Sequence, residues 1–282
     1  MSGSINTNLG AMVALRNLQT TNDALGSTQK RISTGLKVAD AYDDGASYAV
    51  AQGLRSDISA LGAVNERLAV GKGMIDVAVK SGENISKTME SVRNVLVKMS
   101  DQTLTGEARK NYETEYAALK KDIKGFIDGA NYNGVNLIKE NTPVTDQKII
   151  ASVDGGSTVD VAAHDLTTDV HDALTAAAGA DDAAKAAWAK GLLAATGGFS
   201  TGLDKLNAAM NTLGADSRRI SNQINFNSAI ADATNTGLGA IVDADLAKES
   251  AKLQSLQTKQ QLGVQALGIA NQAPQSLLGL FR

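Results

Sequence analysis

The sequence offers few side chains whose types and spacing could do chemistry, and its two histidines come first. His164 and His171 are seven residues apart, and an aspartate directly follows each of them, Asp165 and Asp172. This spacing could bring both imidazoles and both carboxylates to one face of a helix, where they would form a weak metal site. The surrounding residues are mostly polar, which favours two solvent-facing histidines instead. We therefore predict that the chain binds no metal ion.

A glycine–lysine pair suggests a phosphate-binding loop, but its neighbours do not fit one. Such a loop needs a glycine five residues before Gly71 and a serine or threonine after Lys72. The chain has Glu66 and Gly73 at those positions. We therefore predict no nucleotide site at this pair.

The remaining candidates for catalysis are paired acids, and the sequence gives them no partner that completes an active site. Asp43-Asp44 and Asp181-Asp182 could do acid–base chemistry, but adjacent acids more commonly mark a turn or the start of a helix. The chain contains no cysteine, which excludes disulfides, thiolate metal sites and thiol nucleophiles. No Ser/His/Asp spacing matches a nucleophile motif. The sequence thus predicts no catalytic residue, no cofactor and no enzymatic function.

Most of the chain has the spacing of long helices that each bury one narrow stripe. Apolar residues recur every three or four positions near both ends and on either side of the middle. Aromatic residues make up only 4% of the chain, and proline occurs twice, which suits long helices in close contact. The terminal stripes consist of Leu9, Met12, Leu15, Leu18, Leu25 and Ile32, and of Leu246, Leu253, Leu256, Gln260, Val264 and Leu267. Stripes this narrow are typical of coiled coils.

The middle of the chain interrupts the helical pattern. Asn133-Gly134 is a signal for a tight hairpin turn, and weak alternation around Gly155-Gly156 follows it. Alanine dominates residues 172–197, which favours a further helix. We predict a mainly α fold, with long coaxial N- and C-terminal helices in coiled-coil and bundle layers. A small mixed α/β insert that contains a β-hairpin would occupy residues 143–199.

Composition argues against several classes of partner. The formal net charge is −3, which gives no basis for nucleic-acid binding. The sequence contains no apolar stretch of about 18 residues, so we expect no membrane span. The first ten residues have neither a basic start nor an apolar core, and we expect no secretory signal peptide.

The C-terminus is unusually apolar for a chain end, because Leu277, Leu278, Leu280 and Phe281 lie close to the terminal carboxylate. Burying four such side chains contributes on the order of 6–12 kcal/mol, at about 1.5–3 kcal/mol each. Two interpretations are open. The terminal helices could form a coiled coil that is complete within one molecule, or other copies of the chain could complete them. The narrow stripes, one of which includes Gln260, favour the second interpretation.

Several ordered motifs near the N-terminus resemble those of bacterial flagellins. Residues 5–8 match the Ile-Asn-Thr-Asn motif of that family, residues 31–35 ("RISTG") match a second motif, and residues 43–46 ("DDGA") match a third. The segment "NYNGVNLI" at 131–138 resembles the turn before the family's β-hairpin.

The C-terminal part extends the resemblance. The segment from Val242 to Arg282 is similar to flagellins of the Caulobacter type, and the resemblance covers about 1–140 and 200–282. One family motif, Asn-Ala-Asn-Asp-Gly-Ile-Ser, is replaced by "RLAVGKG" at 67–73, which retains only Gly71.

The resemblance implies that the chain is a structural subunit. Flagellins polymerise into the helical filament of the bacterial flagellum, which drives swimming motility. Their paired terminal helices line an inner tube, a helical bundle surrounds it, and the central insert faces outwards. In this chain the resemblance implies an inner-tube coiled-coil domain (1–40 with 243–282), a domain of a helical bundle plus a hairpin (41–142 with 200–242) and a small surface-exposed insert (143–199).

The resemblance also implies the localisation of the chain and its binding partners. Flagellins are secreted through the flagellar export channel and assemble extracellularly. The expected partners are copies of the chain itself, sibling flagellins, the flagellar cap, hook-associated junction proteins, the export apparatus and an export chaperone that holds residues 243–282. The alternatives are a hook–filament junction protein or other minor axial protein of the flagellum, and a surface binding module that uses the insert.

On this interpretation the apolar terminal residues form the polymerisation interface. They are Ile5, Leu9, Met12, Leu15, Leu18, Leu25, Ile32, Leu246, Leu253, Leu256, Val264, Leu267, Leu277, Leu280 and Phe281. Hydroxyl residues of the insert are candidates for glycosylation: Thr145, Ser157, Thr158, Thr167 and Thr168.

Overall fold

The computed structural model describes residues 8–139 and 146–279, with side chains up to Gln272. The helices of this part are α1 (Leu9–Thr34), α2 (Gly45–Met99), α3 (Gly106–Gly129), α4 (Asp182–Leu193), α5 (Gly198–Val242) and α6 (Leu246–Gly279). Two antiparallel hairpins pair β1 (Asn131–Tyr132) with β2 (Val135–Asn136) and β3 (Gln147–Ile150) with β4 (Thr158–Val161), and Thr167–Asp172 forms a π-helical turn. The predicted mainly α fold with a small mixed insert is confirmed.

The chain divides into two compact units. The first comprises residues 1–58 and 232–282, and the second comprises residues 59–231. Helices α2 and α5 contribute residues to both units. The three-domain division drawn from the sequence has other boundaries, and it stays a prediction.

In the first unit, α1 and α6 pair along their length, and we call this pair the arm. The helices are antiparallel, because Arg31 Nη1 lies 3.3 Å from Glu249 Oε1 while Gln260 Nε2 donates to Asn22 Oδ1 at 2.8 Å. Buried and half-buried positions recur at alternating steps of three and four on both helices, which is the spacing of a coiled-coil seam. The seam positions are Ala11, Ala14, Leu18, Thr21, Leu25, Thr28 and Ile32 on α1, and Glu249, Leu253, Leu256, Gln260, Gly263, Leu267 and Ala270 on α6.

A loop over residues 35–44, which we call the base loop, connects α1 to α2. Gly35 ends α1 with a φ of 71°, a left-handed conformation that glycine adopts without a Cβ penalty. The carbonyl of Gly35 accepts a hydrogen bond from Ala244 N at 2.9 Å, and Leu36 forms a β-bridge with Asp243. A small core lies beside the loop and consists of Val38, Ala51, Leu238 and Val242.

The second unit has one continuous hydrophobic core. Helices α2, α3 and α5 supply most of it, and both the β3–β4 hairpin and α4 add side chains to the same cluster. The Asn133-Gly134 turn between β1 and β2 has positive φ at both residues, 51° and 84°, as a two-residue hairpin requires. The hairpin predicted from this dipeptide is therefore present.

Gly71 of α2 shows how the insert packs on the helices. A Cβ added at Gly71 would overlap Ile149 Cδ1 of β3 and lie 3.6 Å from Ile220 Cδ1 of α5. Ile149 is buried and belongs to the common core. The absence of a side chain at Gly71 therefore lets Ile149 of the β3–β4 hairpin lie against the backbone of α2.

The insert is also tied to α3 through aromatic side chains. The rings of Tyr116 and Trp188 meet edge to face, with centroids 5.3 Å apart. Tyr116 Oη donates to Thr175 O at 2.8 Å, and burial raises the pKa of this phenol above its ordinary value. A buried, hydrogen-bonded tyrosine fixes both the position and the orientation of the segment it meets.

The prediction of two solvent-facing histidines is wrong, because the side chain of His171 is only 16% exposed and His164 is half-buried. The Nε2 atom of His164 is buried without a hydrogen-bond partner, and burial lowers the pKa of its imidazole, so the neutral form is favoured. Its backbone N–H donates to Leu137 O at 2.8 Å, which holds the residue next to the end of β2. His171 Nδ1 instead lies 2.7 Å from the exposed carboxylate of Asp172.

Candidate polymerisation surface

The sequence motifs at the chain ends have structural roles in the arm. Asn8 caps the start of α1, since its Oδ1 accepts a hydrogen bond from Ala11 N at 3.1 Å. Its Nδ2 donates to Ala270 O on α6 at 2.6 Å. One side chain thus satisfies a free donor at the helix N-terminus and joins the two helices of the arm.

A cluster of charges fixes the base loop to α1. Lys30 Nζ lies 2.6 Å from Asp40 Oδ2 and 3.0 Å from Asp43 Oδ2. The hydrogen bonds from Lys30 hold the pKa of both carboxyls below their ordinary value, and the carboxylates in turn raise the pKa of Lys30. Asp43 Oδ2 also accepts from Ala39 N at 3.0 Å, so side chain and backbone of the loop are held together.

Asp44 begins the next helix. Its Oδ1 accepts from the backbone N–H of Ala46 and Ser47, and its Oδ2 accepts from the Ser47 hydroxyl at 2.6 Å. The adjacent acids Asp43-Asp44 therefore mark a turn and a helix start, as the sequence predicted.

The structure separates the residues proposed for the polymerisation interface into groups. Those that face the partner helix within the arm are Leu18, Leu25, Ile32, Leu253, Leu256 and Leu267. Those with side chains exposed to solvent are Leu9, Met12, Leu15, Leu246 and Val264, with exposures from 46% to 68%. Ile5, Leu280 and Phe281 lie outside the described residues, and Leu277 lies in α6 without a described side chain.

Sequence reasoning missed further exposed apolar residues of the arm. Val13 is 56% exposed, Leu262 is 58% exposed and Ile269 is 70% exposed. Leu262 and Ile269 are seven residues apart and share a helix face, so a search for a second stripe beside the first would have found them.

The exposed residues leave large apolar side chains uncovered on both helices of the arm. Large apolar side chains exposed together on one element are uncommon in monomeric proteins and mark protein or membrane contacts. In the described ranges 8–139 and 146–279, none of the helices combines the length and apolar character needed to cross a bilayer. Within the same ranges, no three acidic or histidine side chains converge to hold a metal ion.

The hydroxyls proposed for glycosylation differ in exposure. Ser157, Thr158 and Thr168 are exposed, and Thr167 is half-buried. Thr145 lies outside the described residues. Modification at these positions stays a prediction.

Comparisons with known proteins agree with the motifs and the helical arm. Models of the bacterial flagellin N-terminal and C-terminal helical regions match residues 5–142 and 197–281. Flagellin FljK of Caulobacter vibrioides is 38% identical, over 99% of this chain and 98% of its own length. A flagellin of Brucella melitensis is 37% identical, over 99% of both chains.

A solved structure shares the fold. It is that of a Vibrio parahaemolyticus protein assigned as flagellar hook-associated, with a TM-score of 0.58 at 12% identity, over 71% of this chain and all of that one. The relatives named above, which span the whole chain, are flagellins, and they do not favour a hook–filament junction protein. The chain belongs to the bacterial flagellin family and is a structural subunit of the flagellar filament.

Proposed function

We propose that the arm is the main polymerisation element of this flagellin, and that its two kinds of apolar residue have different tasks. Residues of the seam, such as Leu25 and Leu256, hold α1 and α6 together within one subunit. Residues on the outer faces, such as Met12 and Val264, are buried by neighbouring subunits. The observation that carries this proposal is the exposure of large apolar side chains on both helices of an arm that is already paired.

Both interpretations left open by the sequence contribute to this proposal. Within one molecule, α1 and α6 already cover each other's seam residues, as the first interpretation expects. The outer faces are incomplete, and burying them would contribute about 25 cal/mol per Å² of apolar surface removed from water. Leu9, Leu15 and Leu246 belong to these outer faces, and Ile5, Leu277, Leu280 and Phe281 would extend the interface.

The proposed export of the subunit rests on its membership of the flagellin family. The filament of flagellins is extracellular, and we propose that this chain reaches it through the flagellar export channel. An export chaperone would hold residues 243–282, which contain α6, and so prevent association before export. The cap, the hook-associated junction proteins and sibling flagellins would be its further partners, and residues 143–199 would face outwards.

The proposal is tested by placing charges on the outer faces of the arm. Met12 and Val264 are 50% and 56% exposed, so Met12→Asp with Val264→Asp should leave the monomer folded, with unchanged circular dichroism. In the filament each carboxylate would be buried without a partner, which costs several kcal/mol. We expect no filaments in electron micrographs at concentrations where the parent chain assembles.

Ser157→Asp provides the matched control. Ser157 lies exposed at the end of the β3–β4 connection, in the part proposed to face outwards. This variant should assemble like the parent chain. Normal filaments from the Met12→Asp and Val264→Asp chain would show that the outer faces of the arm are not an interface.

A further inference from the structure

Among the described large hydrophobic side chains of the first unit, Tyr42 is the most exposed. Its side chain lies in the base loop and is 99% exposed. The loop is nevertheless well fixed, because Tyr42 N donates to Asp40 Oδ1 at 2.9 Å and Lys30 binds both Asp40 and Asp43. Because the backbone that carries the ring is held, binding has to fix only the rotations of the side chain, which lowers the entropic cost for an interface anchor.

A groove that fits such a ring lies on the arm. Small and apolar residues of both helices line it, and its volume is about 430 Å³. The lining residues include Gly10, Val13 and Ala14 of α1 and Leu262, Gly263 and Ala266 of α6. The glycines and alanines of the groove project little from the helices, which leaves room between the larger side chains for a planar ring.

The charges around the groove and around Tyr42 are opposite. Arg16 lies one turn from Val13, and Lys259 lies one turn from Leu262, and both are exposed. Neither cation has an ion-pair partner in the part of the chain that the structure describes. Tyr42 is flanked by Asp40, Asp43 and Asp44. Lys30 binds the first two and Lys37 acts on the third, so the acids exceed these cations by one charge.

The groove and Tyr42 of one molecule cannot meet each other. Asn17 is the groove residue of α1 nearest to the base loop, and Thr34, at the end of α1, lies about 25 Å further along the helix at 1.5 Å per residue. The Lys30 contacts hold the loop at that far end. The occupant of the groove must therefore come from another molecule.

We propose that Tyr42 of one subunit inserts into the α1–α6 groove of a neighbouring subunit. The inference rests on the proposed function of the arm and names one of its contacts. An apolar centre with an oppositely charged rim on each side is the usual anatomy of a specific interface. Because two different surfaces meet, the contact is heterologous and can repeat without closing, as a helical filament requires.

Cross-linking tests the contact directly, because the chain has no cysteine of its own. A chain with Tyr42→Cys and Ala266→Cys should assemble, and mild oxidation of its filaments should join neighbouring subunits into a ladder on a non-reducing gel. Disulfides require Cα atoms within about 7 Å, so the ladder reports close approach. The matched control is Tyr42→Cys with Gln19→Cys, because Gln19 is exposed on the other flank of α1. The control filaments should give monomers.

The outcomes separate this proposal from the function on which it rests. Filaments of the Tyr42→Cys, Ala266→Cys chain that yield only monomers after oxidation would overturn the groove contact and leave polymerisation by the arm intact. A parent chain that forms no filaments would overturn the proposed function instead.

Truncating the anchor gives a second measurement. Tyr42→Ala should raise the critical concentration for assembly about tenfold, since an anchor residue is worth about 1.4 kcal/mol or more. Tyr42→Phe keeps the ring and should assemble at close to the parent concentration. An unchanged critical concentration for Tyr42→Ala would contradict the proposal.

Discussion

Arg109 determines the turn between α2 and α3. Its guanidinium is fully buried and donates to three backbone carbonyls, those of Met99 at 2.8 Å, Asp101 at 2.6 Å and Leu104 at 2.9 Å. Asp182 Oδ1, at the start of α4, lies 3.5 Å from Arg109 Nε. One side chain thus satisfies the last carbonyl of α2 and two carbonyls of the turn that follows, and it places a positive charge beside Asp182 at the start of α4.

We expect Arg109→Ala to lower the free energy of unfolding by about 3 kcal/mol or more, because several carbonyls lose a charged donor and a cavity forms. Urea denaturation followed by circular dichroism measures the loss. Lys110→Ala is the control, since Lys110 is exposed and its contact to Glu107 is 3.9 Å long. The control should change stability by less than about 0.5 kcal/mol. Equal stability of both variants would show that the buried guanidinium does not hold the turn.

At the scale of the element, two glycines of α2 differ in the space that a larger side chain would have. Gly71 is in contact with Ile149, whereas a Cβ at Gly62 would meet no atom within 4 Å. We expect Gly62→Ala to raise the thermal midpoint, because alanine favours helix over glycine by up to about 1 kcal/mol. Gly71→Ala should lower the midpoint, because Ile149 must move and overpacking costs about 1–3 kcal/mol. Calorimetry of both variants measures the two midpoints. A higher midpoint for Gly71→Ala would contradict the close packing of Ile149 of β3 against α2.

The elements also show what the sequence could predict. The Asn133-Gly134 hairpin and the existence of long helices followed from local signals that need no tertiary information. The assignment of residues to the seam followed only in part, since Leu18, Leu25 and Ile32 face α6 as their spacing predicts. Leu9, Met12 and Leu15 are apolar and correctly spaced, yet the seam at that end of α1 uses Ala11 and Ala14. Periodicity measures the preference of one helix, and the close approach of α6 decided which positions turn inwards.

The sequence predicts less of the candidate surface than of the fold. Tyr42 lies in a short polar loop without periodicity, and its significance depends on the Lys30 contacts that fix the loop. Ala266 and Gly263 are unremarkable in sequence because small residues suit many helix positions. They form a groove only when α1 lies beside them.

At the scale of the whole molecule, removal of α6 should destabilise the first unit and leave the second unit folded. A chain that ends after Val242 loses every seam contact of α1, while the core of residues 59–231 is untouched. Isolated helices of this length are marginal in water, so we expect the amides of α1 to exchange hydrogen rapidly. Amides of α3 should stay protected, which serves as the internal control. Mass-spectrometric exchange in dilute solution measures both, and slow exchange in the truncated α1 would show that the arm does not depend on its seam.

The pairing of α1 with α6 has a consequence for the order of folding. Asn8 and Ala270 are joined by a hydrogen bond across 262 positions of sequence, and Arg31 and Glu249 across 218. Synthesis delivers the N-terminal partner first, so it must wait unpaired for nearly the entire chain to emerge. Closing so long a loop early would be entropically expensive, and prior folding of residues 59–231 shortens the effective loop. We therefore expect the arm to form after the core of residues 59–231, because α1 has no partner until α6 has left the ribosome.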